Sequence, residues 1–334
     1  MSDLRIEATR GDLVESVHRV SAAVVRADGH LAAAAGDPAL VTYWRSAAKP
    51  FQALPLVTDG AAAAIGLTSE ELALACASHS SEPAQLAVVQ GLLDRLGLTA
   101  ADLACGPHVP YSASEAERIV RDRVTLTSVW SNCSGKHAGM LALARHHGWP
   151  TAGYERPGHP VQQRILAEVA RWTGVPADAI VTATDGCAAV TFALPLAAMA
   201  LAWARLGASD DPAAKRVRAA MTAHPELVAG QGRLCTDLMA ALPGRVLAKV
   251  GAAGIYCAAL PELGLGVALK IADGDSDVSG TALLAVLERV VACAGAPGHY
   301  EFDAVSTHAE RPILNTRGAR VGVVRAAGQL RFQA

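Results

Sequence analysis

Arg45-Ser46-Ala47-Ala48-Lys49-Pro50 concentrates the most chemistry in the least sequence. Residues three apart on a helix share a face, so Ser46 and Lys49 are placed to meet. A serine hydroxyl is a poor nucleophile until a base takes its proton. A lysine serves as that base when burial or nearby positive charge lowers its pKa. The apolar flank Phe51, Ala53, Leu54 and Leu56 favours such burial of Lys49. Pro50 strains a continuous helix and points to a single turn or a kinked helix start. The same four residues would also suit a solvated helix face, so the pattern alone is weak.

Two further segments add polar groups. Ser78-His79-Ser80-Ser81 offers hydroxyls for a proton relay, or simply an N-cap and turn. His79 is a second candidate base, ranked lower because no acid orienter stands out nearby in sequence. Lys249-Val250-Gly251 falls in a β-rich stretch, and the order S-x-x-K then K-x-G is that of penicillin-recognising enzymes, with valine in place of their hydroxyl residue.

The seven cysteines are widely spaced and odd in number, which argues against a disulfide framework. Cys133, in Ser131-Asn-Cys-Ser-Gly-Lys-His137, and Cys187, in Thr184-Asp-Gly-Cys187, each sit where a turn is expected to enter a helix. That position favours thiolate, and two such thiols suit a soft metal such as zinc. Without C-x-x-C spacing, two small buried residues are the plainer reading. Cys76, Cys105, Cys257 and Cys293 lie in apolar settings and are expected in the core. His146, His147, His159 and His224 are scattered and receive no chemistry.

These side chains need a frame. Val17 to Ala35 alternates around Asp28-Gly29 and predicts a hairpin. Arg320 to Phe332 reads as β with a turn at Gly328, and Arg245 to Ala272 as a third β block. Helices are expected over Glu82 to Leu96 (capped by Ser80-Ser81), Lys136 to His147, Val161 to Trp172, Ala188 to Leu206 and Ser279 to Ala294. Ser209-Asp210-Asp211 reads as a loop. Strands at both ends and late in the chain, with helices between, predict an α+β fold. One antiparallel sheet is formed from both termini and the late β block, with a helical region inserted. One catalytic unit is expected over 1–334, its α/β part at about 1–75 and 240–334 and its helical part at about 76–239.

Composition sets limits. The 334 residues are 51% hydrophobic, enough for one large or two modest cores. A formal charge of −2 leaves no basic excess for a phosphate backbone, so nucleic acid is not an expected partner. Aromatics are 4%, so the core must close on small side chains. The charged start has no signal-like apolar run, and the longest apolar stretch, Ala188 to Ala204, is broken by Pro195. Neither a targeting segment nor a membrane span is expected, and a cytoplasmic location follows.

Arg45–Pro50, Cys76–Glu82, Ser131–His137, Thr184–Cys187 and Lys249–Ala252 together resemble, in this order, the rhizobial-type (class 3) L-asparaginases, the asparaginase II family of Rhizobium etli type. Met221–Gly230 and Leu269–Gly274 extend the likeness, which runs from about Leu13 to Gly274. The resemblance implies a serine β-lactamase-like fold shared with glutaminases, and hydrolysis of L-asparagine to L-aspartate and ammonia. It implies two Ser-Lys tandems, Ser46 with Lys49 and Ser78 with Lys249. It also implies Zn2+ held by Cys133, Lys136 and Cys187, with Arg45, His137, Asp185 and Cys235 in substrate contact or supporting roles.

The mechanism this suggests begins with Lys49 deprotonating Ser46, which attacks the side-chain carbonyl; Ser78 then passes a proton to ammonia. Backbone amides near either serine would hold the oxyanion. Which serine attacks stays open. A zinc-binding Lys136 must be neutral, so its pKa is expected well below normal and the optimum neutral to alkaline. Glutaminase and β-lactam or other small-amide hydrolysis are rival activities. A non-catalytic zinc-thiolate protein is the alternative of another class. A homodimer is the expected assembly.

Overall fold

Both ends of the chain enter one sheet. The computed structural model describes residues 3–333. Its strands are β1 (Arg5–Arg10), β2 (Leu13–Arg26), β3 (Leu31–Ala35), β4 (Val41–Tyr43), β5 (Val181–Thr184), β6 (Val190–Pro195), β7 (Leu247–Val250), β8 (Ile255–Leu260), β9 (Leu265–Ile271), β10 (Arg311–Leu314), β11 (Arg320–Ala327) and β12 (Arg331–Phe332). The main sheet runs β10-β11-β1-β2-β9-β8-β7, and β3 joins it between β2 and β12. The registers connecting these strands are antiparallel. The expected α+β architecture, with a sheet built from both termini and the late β block, is therefore present.

The chain divides into two compact units. One comprises residues up to Ala47, Leu194–Ala208 and the residues from Asp237 on; the other is Ala48–Ala193 with Ser209–Thr236. In the sheet unit, β8 is buried along its whole length and β9 nearly so. An antiparallel strand with one wet face alternates, so continuous burial means cover on both faces. The helices Leu196–Ala208 and Ser279–Cys293 both pack on β8 and β9. The first comes so close at Gly266 that a Cβ there would stand 2.0 Å from the Ala200 carbonyl. Only glycine fits. Small residues, among them Ala22, Ala23, Ala33, Ala258, Ala259 and Ala268, fill this core as the low aromatic content requires.

In the helical unit, Lys49–Thr58 is the central helix. Its first eight residues are buried, and it packs on the helices Ser134–His147, Pro160–Thr173 and Pro212–Ala223. Pro50 is accommodated because it lies in the first turn, where its missing N–H would have no partner anyway.

The structure corrects several expected elements. Ala188 to Leu206 is not one helix: Val190–Pro195 is a strand and the helix begins at Leu196. The apolar run has no polar face, so periodicity could not separate buried strand from buried helix. The helix after the serine cluster is Pro83–Arg95 with Glu82 at its N-cap, while Ser80 and Ser81 bond elsewhere. Ser134 and Gly135 belong to their helix, and Cys133 precedes it. Cys293 is exposed rather than in the core. Among the described residues no helix is long and apolar enough to cross a membrane.

Candidate active site

Lys49 is the first residue of its helix and is 1% exposed. Its Nζ donates to the Ala77 carbonyl at 2.5 Å, to Ser78 Oγ at 2.9 Å and, more weakly, to the Asn132 carbonyl at 3.5 Å. Within the helical unit, then, Lys49 is joined to Ser78 by a buried hydrogen bond. Ser46 lies in the 3-10 turn Arg45–Ala48 that runs into this helix. Lys249, expected beside Ser78, is fully buried on β7, and its Nζ donates to the Val250 carbonyl at 2.9 Å.

The serine cluster separates into one chemical and three structural positions. Ser80 Oγ donates to the Ala229 carbonyl and Ser81 Oγ to the Trp130 carbonyl, each at 2.9 Å. The Ser81 N–H donates to His79 Nδ1 at 3.1 Å, and the other ring nitrogen, Nε2, is 2.8 Å from Ser134 Oγ. With Nδ1 accepting, Nε2 carries the ring proton. Burial, helped by the charges of Lys49, His108 and Arg233, pushes His79 down to about 3. It is a neutral structural tie and a poor base. The backbone amides of Ser78 and His79 are also engaged, with the Val228 and Asn132 carbonyls. These two amides are therefore not aimed at an oxyanion.

Three residues that the sequence did not single out surround this pair. Arg233 Nη1 donates to the Ser78 carbonyl at 2.5 Å and to the Ala229 carbonyl at 3.2 Å. Its guanidinium carbon lies 5.4 Å from the centre of the Tyr111 ring. Asn132 Nδ2 donates to Tyr111 Oη at 3.1 Å, while its backbone N–H donates to His108 Nε2 at 2.7 Å. No local motif marks His108, Tyr111 or Arg233. Asn132 at least stands inside the Ser131–His137 block.

A second cluster lies in the same unit. Cys133, Lys136 and Cys187 are buried together, and Lys136 Nζ donates to Cys187 Sγ at 2.9 Å. Cys187 sits in the turn of the β5–β6 hairpin, not at a helix start as expected. Its thiol is therefore tuned by side chains: the Cys133 hydrogen bond lowers it most, and Lys136 adds to that against burial, taking it well below the usual thiol range. Cys133, which gives that bond and is itself buried, is raised. Burial depresses Lys136, but the charges of Cys187 and Cys133 outweigh it and raise the ammonium above its ordinary range. Its cause is the thiolate beside it; the lowering expected of Lys136 belongs to the metal-bound state.

His137, buried on the same helix, pairs through Nδ1 with Tyr154 Oη at 2.6 Å. Its Nε2 has no hydrogen-bond partner among the described residues. Asp185 caps the hairpin turn by accepting from the Gly186 N–H at 2.8 Å. Cys235 is buried near the start of the helix Leu234–Ala241. Arg45, Ser81 and Ala188 hold left-handed backbone conformations (φ 53°, 61° and 72°), a strained state for residues with a Cβ. Ser81 lies within the serine cluster, Ala188 follows Cys187, and Arg45 precedes Ser46. Among the described residues no three His, Cys, Asp or Glu side chains group as a metal site; the thiolate cluster combines two cysteines with a lysine.

A family model described as L-asparaginase II matches residues 6–326. The chain belongs to the L-asparaginase II family. Comparison with curated proteins returns no match. Among solved structures, Mglu in its native form in the presence of 4.3 M NaCl is 19% identical, at a TM-score of 0.39. The alignment covers 85% of this chain and 63% of that one, so this chain spans less than two thirds of Mglu. A β-lactamase from Mycobacterium bovis is 15% identical at a TM-score of 0.35, with 83% of this chain and 94% of that chain covered.

Proposed function

We propose that this family member hydrolyses the side-chain amide of L-asparagine, giving L-aspartate and ammonia, with Ser78 and Lys49 as the acting pair. One observation carries the assignment: the buried 2.9 Å hydrogen bond between Lys49 Nζ and Ser78 Oγ. A serine and a lysine held in contact away from water are the parts a nucleophile and its base require.

The steps follow from that contact. Neutral Lys49 removes the Ser78 proton as Oγ attacks the amide carbonyl. The tetrahedral adduct collapses, the C–N bond breaks, and Lys49 returns the proton to the departing nitrogen as ammonia leaves. Water then attacks the β-aspartyl ester with Lys49 again as base, which restores Ser78 and releases L-aspartate. A base that must start neutral makes the rate rise toward alkaline pH. Arg233 and Asn132 hold Ser78 and Lys49 through the Ser78 and Asn132 carbonyls, so the pair does not reorganise during the reaction.

Cys133, Lys136 and Cys187 fit a zinc ion by donor type, offering two soft thiolates and an amine. Ligands of one tetrahedral zinc stand roughly 3.5 Å apart, from bond lengths of about 2.3 Å to sulfur and 2.0 Å to nitrogen. The Lys136–Cys187 distance of 2.9 Å is shorter, as it should be for a direct ammonium–thiolate bond. Binding a metal there requires Cys133 and Lys136 to release protons and the pair to open slightly. Zinc so held would supply a Lewis-acidic anchor for polar groups of the substrate.

Ammonia release measured across L-asparagine, L-glutamine and simple amides tests the activity. Preference for L-glutamine, or no release from any amide, refutes it. Trapping the acyl-enzyme with a slow substrate and mapping the modified peptide tests the nucleophile. An acyl group on Ser46 reassigns the attack to the other predicted hydroxyl.

A further inference from the structure

Arg233 donates to the carbonyl of the proposed nucleophile itself, and only part of its guanidinium is used. Nη1 spends its donors on the Ser78 and Ala229 carbonyls. The donors of Nε and Nη2 have no hydrogen-bond partner among the described residues. The guanidinium is half-buried and lies over the Tyr111 ring. Tyr111 is itself fixed by Asn132 Nδ2 at its hydroxyl and by the His108 ring 5.1 Å away. An arginine seated on two carbonyls along one edge, stacked on an aromatic face, and open along its other edge is a carboxylate receptor.

The distances suit an amino-acid amide. Arg233 Nη1 sits 2.5 Å from the carbonyl of the same residue whose Oγ is the proposed nucleophile. In asparagine the reacting carbonyl carbon and the α-carboxylate carbon are three bonds apart, about 4 Å when extended. One molecule can therefore present its amide to Ser78 while its α-carboxylate reaches Arg233. We infer that Arg233 binds the α-carboxylate of the substrate through Nε and Nη2 and makes the site selective for amides that carry one. The inference rests on the asparaginase reading and adds the element that tells an amino-acid amide from a simple amide.

The test compares L-asparagine with 3-aminopropanamide, the same molecule without its carboxylate, in wild-type protein and in Arg233→Gln and Arg233→Lys. The readout is the ratio of kcat/KM for the two substrates. Loss of one bidentate, charge-assisted contact predicts a fall of about 100-fold in that ratio for Arg233→Gln, mostly in KM for asparagine. Arg233→Lys keeps the charge without the fork and should fall between. If Arg233 only steadies the Ser78 carbonyl, both substrates lose equally and the ratio stays constant, which overturns the inference. Calorimetric titration with L-aspartate separates this from the asparaginase reading. A wild-type protein that releases no ammonia yet binds L-aspartate about 100-fold more tightly than Arg233→Gln refutes the activity and keeps the receptor. Equal binding, or none to either protein, overturns the receptor.

Discussion

His79 makes the stability of this protein depend on pH in a way that can be worked through. The ring is fully buried, accepts the Ser81 N–H and is bonded to Ser134, and its pKa falls from 6.5 to about 3. The unfolded chain therefore binds a proton that the folded one refuses. Stability contributed by the neutral ring is present above pH 6.5 and is lost as pH falls from there toward 3. Between about pH 7.5 and pH 5 the loss amounts to about 2 kcal/mol, from the difference in proton binding. The perturbation is His79→Asn, which cannot titrate. At about pH 7.5 the variant should be less stable, because it gives up the ring's packing and at least one hydrogen bond. On acidification to about pH 5 the wild type should lose about 2 kcal/mol more than the variant, so the gap narrows. Urea unfolding at the two pH values measures this, and taking the difference between proteins cancels the carboxylates and other histidines common to both. A gap of the same size at both pH values would refute the claim that the fold excludes protonated His79.

Lys49→Met removes the base and the Nζ donor to the Ala77 carbonyl; kcat for asparagine should drop by about a thousand-fold, and wild-type turnover would remove Lys49 from the chemistry. Cys133→Ser and Cys187→Ser should each abolish bound zinc, measured as metal per chain by mass spectrometry, whereas unchanged metal content sinks the proposed ligand set. Gly135→Ala is a geometric test. The new Cβ would lie 2.3 Å from the Leu74 carbonyl oxygen and 2.7 Å from Leu74 Cγ. Alanine favours a helix by about 1 kcal/mol, but forcing the helix Ser134–His147 away from the helix Ser69–Ala75, which carries Leu74, costs about 3 kcal/mol, so a lower Tm is expected. A raised Tm would mean that the contact yields freely.

Much of the fold was open to reading because its signals are local. The Asp28-Gly29 hairpin, the late β block and the helix stopped by Gly148 each follow from turn residues or periodicity within a short window. The run from Ala188 failed for the opposite reason: buried on all sides, it has no polar face to reveal a period, and only the packed structure separates Val190–Pro195 from the helix that follows. Cys187 was placed at a helix start because a turn before a strand and a turn before a helix share the same residues.

What the amino-acid order determined by itself is the inventory: hydroxyls, lysines and thiols in five ordered blocks, enough to indicate the family and the two clusters. Which groups touch was decided by the tertiary structure. Ser78 is 29 residues from Lys49, Cys187 is 51 from Lys136, and Arg233 is 155 from Ser78. No local rule spans such separations. The choice among possible partners is made by how helices pack and where the chain returns, and so is the protonation that follows, down to a lysine kept charged by the thiolate beside it.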